Sequence, residues 1–218
     1  MRIFTAVYPT PEVSAHLDLA LASVGGALVA DPGKGVRWTP KEQRHLTVAF
    51  HGEVPDGAVP HFVDELTAAV ADIRPFECVL AGGGTFQGRT FFVGVGAQGV
   101  DGLRALAAAA EEGAAECGFR ADDRAAGRPH LTLARATVRA DQRRRGNPGR
   151  GGRGRQPDTA DGSATFDLWA RALSVYRGPA WTVESVSVVR SDLGAGQSGG
   201  PLHTEVARVP LRPSPHGW

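Results

Sequence analysis

The sequence predicts an α+β fold that is bilobal and pseudo-duplicated, with two small antiparallel sheets facing a central cleft and helices packed outside. Segments rich in β-forming residues alternate with helical segments in two comparable sets, and each set contains one copy of the triplet His-Leu-Thr. With 218 residues, of which 42% are hydrophobic, the chain can bury a sizeable core. We therefore expect residues 1–218 to form one bilobal domain.

The first set of elements is predicted from alternation, helix periodicity and proline positions. Its strands are Met1–Tyr8, Val36–Trp38 and His45–Gly52, and its helices run from Pro11 to about Val24 and from Val59 to Ile73. Pro11 suits a first helical turn because proline has no amide hydrogen to leave unpaired there.

The second set repeats this plan after Pro75. Its strands are Phe76–Leu80, Thr90–Val95, His130–Val138, Trp181–Arg190 and His203–Val209, with helices at Leu103–Cys117 and about Ala164–Tyr176. The run Gly82-Gly83-Gly84 is expected to be the connection between the first two of these strands.

The segment Arg139–Gly162 differs from the rest because it has no apolar periodicity and is dominated by Arg, Gly, Asp and Pro. We interpret it as a flexible, solvent-exposed insertion within the domain. Between Arg135 and Arg155 there are eight arginines and one acid, Asp141, although the whole chain has a formal charge of only +1. Either this segment contacts a phosphate backbone through its arginines or it is a tolerated loop without a role.

Composition excludes several classes of protein. Two cysteines are too few for a disulfide framework, and the short apolar start that breaks at Pro9 is neither a signal sequence nor a membrane span. We therefore expect a cytoplasmic protein with no membrane association and no obligate protein partner.

The paired motif HLTVAF at 45–50 and HLTLAR at 130–135 is the main functional signal. Alternate residues of a strand face the same side, so His45 and Thr47 share one face, as do His130 and Thr132. If the lobes are related by an approximate twofold axis, two imidazoles and two hydroxyls meet across the cleft. Two histidines can supply one general acid and one general base, and threonine hydroxyls can hold phosphate oxygens.

A metal site fits the sequence less well, because there is no HExxH motif and no CxxC motif. We therefore expect no cofactor. The other five histidines lack a repeated context and are interpreted as structural or surface residues: His16, His51, His61, His203 and His216.

Several further stretches, together with the two motifs, resemble the two-histidine (2H) phosphoesterases, specifically the bacterial and archaeal RNA 2′,3′-cyclic phosphodiesterases, also called 2′-5′ RNA ligases. The stretches that carry the resemblance are MRIFTAVYPTPEV, VRWTPKEQRHLTVAFHGEV, PFECVLAGGGTF, RTFFVGV, GRPHLTLARA and WTVESVSVVRSDL. The resemblance implies metal-independent opening of a 2′,3′-cyclic phosphate at an RNA 3′ end, or of a cyclic nucleotide, to leave a 2′-phosphate. It also implies that His130 is the proton acceptor that activates water and His45 the proton donor to the leaving 3′ oxygen.

The resemblance assigns Thr47, Thr132 and Arg135 to phosphate binding and Phe50 to stacking on the terminal base. We expect Phe50 to share the face of His45 and Thr47 only if its strand stays regular, and otherwise to be a core residue. Arg135 lies at an odd distance from His130, so it reaches the phosphate only if the strand contains a bulge. Arg37 and Trp38 could also reach a substrate, although packing explains Trp38 equally well.

Three functions remain open at this point: hydrolysis of the cyclic phosphate, ATP-independent joining of RNA ends through a 2′-5′ linkage, and nucleotide or RNA binding without chemistry. The same four motif residues would serve both reactions. Pure binding would not require two titrating groups, so the sequence favours an enzyme.

Overall fold

The computed structural model describes residues 1–25, 36–119, 128–136 and 162–212. Nine strands and four α-helices alternate along these residues, as the α+β prediction requires. The strands are β1 (Arg2–Val7), β2 (Val36–Trp38), β3 (Leu46–Glu53), β4 (Phe76–Phe86), β5 (Thr90–Val95), β6 (His130–Ala136), β7 (Arg177–Val183), β8 (Ser185–Asp192) and β9 (Leu202–Pro210). The helices are α1 (Pro11–Gly25), α2 (Val59–Ala69), α3 (Ala97–Glu116) and α4 (Gly162–Ala172).

The strands form two antiparallel halves that meet in the middle. The order is β7-β4-β5-β6-β3-β1-β8-β9, with β2 added to β6. The halves are joined where β6 meets β3, through the single pair Leu46↔Leu131. Both leucines are completely buried. The two strands that carry the repeated motif are therefore the central neighbours of the whole arrangement.

The helices pack on the strands through one continuous hydrophobic core. Helix α3 lies against α2, β3 and β4, while α4 packs on β4 and β5 and α1 packs on β7. The core takes residues from both halves, including Phe62, Phe91 and Phe166, each fully buried. A second, smaller apolar cluster of Phe4, Ala6 and Val189 lies apart from this core, with Phe50 packed against it.

Two predicted connections are wrong. Strand β4 continues through Gly82-Gly83-Gly84 to Phe86, so the glycine run is not the connection between strands. The predicted strand Trp181–Arg190 is two strands, because the chain breaks at Glu184 and β7 and β8 then lie in different halves.

The glycines of β4 make room for neighbouring side chains. A Cβ at Gly83 would lie 2.7 Å from Cβ of Leu173, and a Cβ at Gly84 would lie 2.5 Å from the ring of Phe92. Gly82 has a φ of +71°, in the left-handed region that favours glycine, at the point where the pairing of β4 becomes irregular. The run is therefore a packing requirement inside a strand.

The predicted insertion Arg139–Gly162 lies almost entirely outside the described residues. None of the helices in the described part of the chain is long and apolar enough to cross a membrane. Cys78 and Cys117 are both free thiols.

His51 is a buried histidine on the core side of β3. Its side chain is 3% exposed and its ring lies 4.6 Å from the ring of Phe62. Neither ring nitrogen has a hydrogen-bond partner among the described residues. Burial lowers the pKa of His51 from 6.5 to about 4.

This buried imidazole predicts a loss of stability in acid. Because the folded-state pKa lies below the unfolded-state value, its contribution is complete above pH 6.5 and is lost as pH falls towards 4. We expect His51→Leu to reduce the loss of unfolding free energy between pH 7.5 and pH 5 by about 2 kcal/mol. Urea denaturation at the two pH values measures this difference. The exposed His61→Leu serves as the control and should leave the pH dependence as in the wild type; an equal effect of both variants would contradict the prediction.

Candidate active site

The cleft lies on the face of the central strands that carries the polar side of both motifs. All six site residues predicted from the sequence line it: His45, Thr47, Phe50, His130, Thr132 and Arg135. Arg37 lines it as well. The structure therefore brings the predicted set together in one space.

Each motif histidine is held by the same local hydrogen bond. Nδ1 of His45 donates to the carbonyl oxygen of Gln43 at 2.7 Å, and Nδ1 of His130 donates to the carbonyl oxygen of Arg128 at 2.9 Å. In both cases the acceptor lies two residues before the histidine. Because this bond places the proton on Nδ1, it leaves Nε2 of each ring as the nitrogen free for acid–base chemistry.

A bulge brings Arg135 into the cleft. Consecutive residues Phe91 and Phe92 of β5 pair with Ala134 and Thr132, so Leu133 is an extra residue in β6. Leu133 and Ala134 are both buried although they are adjacent, which marks the change of phase. The bulge that the position of Arg135 requires is therefore present.

The same irregularity occurs in the first motif and corrects the argument for Phe50. Residues 45 and 50 have opposite parity, so a regular strand would turn Phe50 away from His45, and the expectation based on a regular strand was wrong. Thr5 and Ala6 of β1 pair with Ala49 and Thr47, which makes Val48 the extra residue in β3. Both motifs thus contain a bulge three residues after the histidine, and in both the fifth residue after the histidine faces the cleft.

Two of the arginines that line the cleft face each other. Arg37 and Arg135 lie directly opposite each other on β2 and β6. Within the described residues neither guanidinium has a carboxylate partner; Arg37 donates to the carbonyl oxygen of Gly199 at 3.4 Å. Like charges on directly opposed residues destabilise a pair of strands, and an anion between them would relieve this repulsion. The arrangement suits a phosphate.

Trp38 belongs to the packing of the second lobe as well as to the cleft wall. Its ring lies 5.1 Å from the ring of Trp169 and 6.3 Å from that of Phe91. Packing therefore accounts for this tryptophan.

His203 is a cleft residue that the sequence interpretation missed. We expected a structural or surface role, but β9 places His203 in the cleft with its ring centre 5.1 Å from that of His45 and 5.0 Å from that of Phe4. Its Nδ1 is buried and has no hydrogen-bond partner among the described residues. His203 lacks the repeated context that identified the other two histidines, so only the return of the last strand beside β8 reveals it.

Burial and positive neighbours lower the pKa values of both motif histidines. Burial lowers the pKa of His45 from 6.5 to about 4, with further lowering from His203, Arg135 and His130 and an opposing effect from the bond to Gln43. Burial also lowers the pKa of His130, with Arg135 adding to the effect and the bond to Arg128 opposing it. An anion in the cleft would raise both pKa values.

The contact between His203 and His45 predicts a coupled titration. We expect His203→Asn to raise the pKa of His45, because the variant removes the positive charge that opposes protonation of the neighbouring ring. A pH titration of the histidine ring protons by NMR measures the shift, with the exposed His61→Asn as the control. An unchanged His45 titration in His203→Asn would contradict the coupling.

The described residues contain no group of three or more His, Cys, Asp or Glu side chains that could hold a metal ion. The two motifs and Arg37 supply imidazoles, hydroxyls and guanidiniums to the cleft, and these groups together suit acid–base chemistry on a phosphate ester.

Comparisons with known proteins point to one family. The family model described as the 2′-5′ RNA ligase superfamily matches residues 29–145. The chain is 30% identical over 223 aligned positions to an RNA 2′,3′-cyclic phosphodiesterase of Thermus thermophilus, and the match covers 97% of this chain and 91% of that protein. A second protein of that name, from Geobacillus stearothermophilus, is 36% identical over 102 residues, which is 45% of this chain and 32% of that protein.

The fold also has close counterparts among solved structures. The crystal structure of TT0787 from Thermus thermophilus superposes with a TM-score of 0.63, covering 98% of this chain and 99% of that one at 24% identity. At this level of identity the likeness establishes the α+β fold.

Proposed function

The chain belongs to the 2′-5′ RNA ligase superfamily, and from this membership and the cleft we propose that it hydrolyses 2′,3′-cyclic phosphates at RNA 3′ ends to 2′-phosphates without a metal ion. The observation that carries the proposal is the matched pair of histidines. Both rings are fixed by Nδ1 on a carbonyl two residues earlier, and both leave Nε2 available in one cleft. One such ring can accept a proton while the other donates one.

In the proposed reaction, Nε2 of His130 accepts a proton from the attacking water and Nε2 of His45 donates a proton to the departing 3′ oxygen. The bond between phosphorus and the 3′ oxygen breaks as the bond to the water oxygen forms, and the phosphate remains on the 2′ oxygen. Thr47, Thr132 and Arg135 hold the non-bridging oxygens, where negative charge is concentrated. Phe50 stacks on the terminal base, since an aromatic ring accepts any base.

Binding of the substrate makes His45 a more effective proton donor. Burial lowers the pKa of His45 to about 4, so its side chain is neutral near pH 7 and Nε2 has no proton to donate. The negative phosphate raises its pKa when it binds. We therefore expect kcat to follow a bell-shaped pH profile between about pH 5 and pH 8. Both limbs of the kcat/KM profile should lie at lower pH, because kcat/KM reports the free protein, in which the pKa values of His45 and His130 are lowered.

The direct test uses a short RNA that ends in a 2′,3′-cyclic phosphate, incubated with excess EDTA. We expect full turnover and a 2′-phosphate product, identified by ³¹P NMR. A strict requirement for a divalent metal would overturn the mechanism. A 3′-phosphate product would reverse the leaving group and with it the roles of the histidines.

Ligation and binding without chemistry are the other two functions that the sequence left open. Turnover with the cyclic phosphate would exclude a purely binding role. Joining of ends by the same residues differs only in the nucleophile, which is a 5′-hydroxyl in place of water.

A further inference from the structure

Phe86 is an aromatic residue at the rim of the cleft that the proposed hydrolysis does not use. It is the last residue of β4, and its side chain is 40% exposed although it is large and apolar. It lines the same cleft as the two motifs. Among the large apolar residues with this degree of exposure in the described chain, Phe86 and Leu193 line the cleft.

The position of the Phe86 ring is fixed by the residues that it packs against. It stacks on Phe92 with ring centres 4.3 Å apart and planes 24° apart. Phe92 can lie there because Gly84 has no side chain. The backbone is fixed as well: Arg89 N donates to the carbonyl oxygen of Phe86 at 2.9 Å, across a turn in which Gln87 and Gly88 have positive φ. One face of Phe86 is thus covered and its orientation is set, while part of the ring remains exposed to the cleft.

The aromatic pair Phe86 and Phe92 lies beside His130, and a second aromatic pair, Phe4 and Phe50, lies on the side of His45. Phe86 and Phe92 lie 4.7 Å and 5.2 Å from the ring of His130. On the other side, Phe4 lies 4.8 Å from the ring of His45 and 5.9 Å from the ring of Phe50. Each acid–base group of the cleft therefore has its own aromatic platform, one in each half of the sheet.

In a displacement at phosphorus, the leaving oxygen and the attacking oxygen occupy different sides of the cleft. The attacking and leaving oxygens lie roughly in line on opposite sides of the phosphorus. The leaving 3′ oxygen belongs to the terminal ribose, whose base stacks on Phe50 beside His45. The platform of Phe86 therefore lies on the side of the attacking oxygen, where hydrolysis needs only a water molecule.

We propose that Phe86, backed by Phe92, forms a second nucleoside subsite that accepts the nucleoside carrying an attacking 5′-hydroxyl. The inference rests on the proposed function, because that function decides which histidine lies beside the attacking oxygen. In the step that it serves, His130 takes the proton of the 5′-hydroxyl, the 5′ oxygen bonds to phosphorus, the bond to the 3′ oxygen breaks, and His45 protonates that oxygen. The product is a 2′-5′ phosphodiester with a free 3′-hydroxyl, so no other reactant is needed.

The test measures binding of two ligands of equal charge by calorimetry at one salt concentration. One is 3′-deoxyadenosine joined through a 2′-5′ phosphodiester to adenosine, which cannot cyclise because it lacks the 3′-hydroxyl. The other is the 2′-(methyl phosphate) of 3′-deoxyadenosine, which lacks only the second nucleoside. We expect the wild type to bind the dinucleotide about tenfold more tightly, as stacking of one base would give.

Three variants separate stacking from packing. Phe86→Leu keeps apolar cover over Phe92 but removes the aromatic face, so we expect the tenfold preference to disappear. Phe86→Tyr should keep it. Leu193→Ala, an exposed cleft-rim residue on the β8–β9 connection with 66% of its side chain accessible, should also keep it.

Any other outcome would contradict the proposal of a nucleoside subsite at Phe86. Equal affinity of the wild type for both ligands would show that no second nucleoside binds, and a wild-type preference in Phe86→Leu would show that the residue only packs. If instead Phe86→Leu weakens a ligand extended on the 5′ side of the terminal nucleoside, the platform serves an upstream nucleotide and the assignment is wrong. Because these ligands need no turnover, failure of the protein to hydrolyse a cyclic phosphate would reject the proposed function and leave the binding result to stand or fall separately.

Discussion

His45→Ala and His130→Ala should each lower kcat for hydrolysis of a 2′,3′-cyclic phosphate by about 10²- to 10⁴-fold, the usual contribution of a positioned general acid or base. Nucleotide affinity should change far less, because Arg135 and the two threonines remain to hold the phosphate. Single-turnover kinetics and equilibrium binding of a 2′-nucleotide measure the two quantities separately. Loss of binding in parallel with loss of turnover would mean that the histidines act as ligands of the phosphate and not as proton carriers.

A substrate with sulfur in place of the 3′ oxygen identifies which histidine is the acid. A thiolate leaves without a proton, so this substrate should restore most of the activity of His45→Ala and little of that of His130→Ala. The reverse pattern would exchange the two roles. His61→Ala, on the exposed surface of α2, is the matched control for replacing a histidine.

Thr47→Val and Thr132→Val should each lower kcat by about 10²- to 10³-fold. Valine keeps the branched shape of threonine, so the variants remove one hydroxyl donor from the position where phosphate charge develops, a loss comparable to removal of one oxyanion-hole donor. Among the described residues neither hydroxyl makes a hydrogen bond, so both are available to a ligand.

Thr90→Val provides the control for the threonine variants. Thr90 also lines the cleft, on β5 opposite Arg135, but it lies outside the repeated motif. We expect the kcat of Thr90→Val to stay within about threefold of the wild-type value, in line with the small effects of most surface substitutions. An equal loss in all three variants would mean that the effect comes from the polarity of the cleft and not from two positioned donors.

The motif residues could be placed from the sequence because their pattern repeats. Two copies of His-Leu-Thr on strands predicted a shared polar face, and a pseudo-duplicated fold predicted that the faces meet. Even the bulge beside Arg135 could be anticipated, because the resemblance to the 2H phosphoesterases assigns Arg135 to phosphate binding and a regular strand would turn it away from His130. The matching bulge at Val48 was not predicted, because Phe50 was wrongly expected to share the face of His45 and Thr47 in a regular strand.

Features that depend on distant parts of the chain could not be predicted. Glu184 separates two strands without any Gly, Pro or Asn to mark a turn, and only the different partners of β7 and β8 show that the chain passes between halves. The glycines of β4 resembled a loop because the side chains that need their space, Leu173 and Phe92, come from other elements. His203 enters the cleft through strand pairing alone.

The joint at Leu46 and Leu131 gives the cleft a particular mechanical property. Leu46 directly follows His45 and Leu131 directly follows His130, so the one residue pair that joins β3 to β6 lies beside both motif histidines. The spacing of the two histidines is therefore set at the joint itself, where both leucines are completely buried in a core that the two halves share.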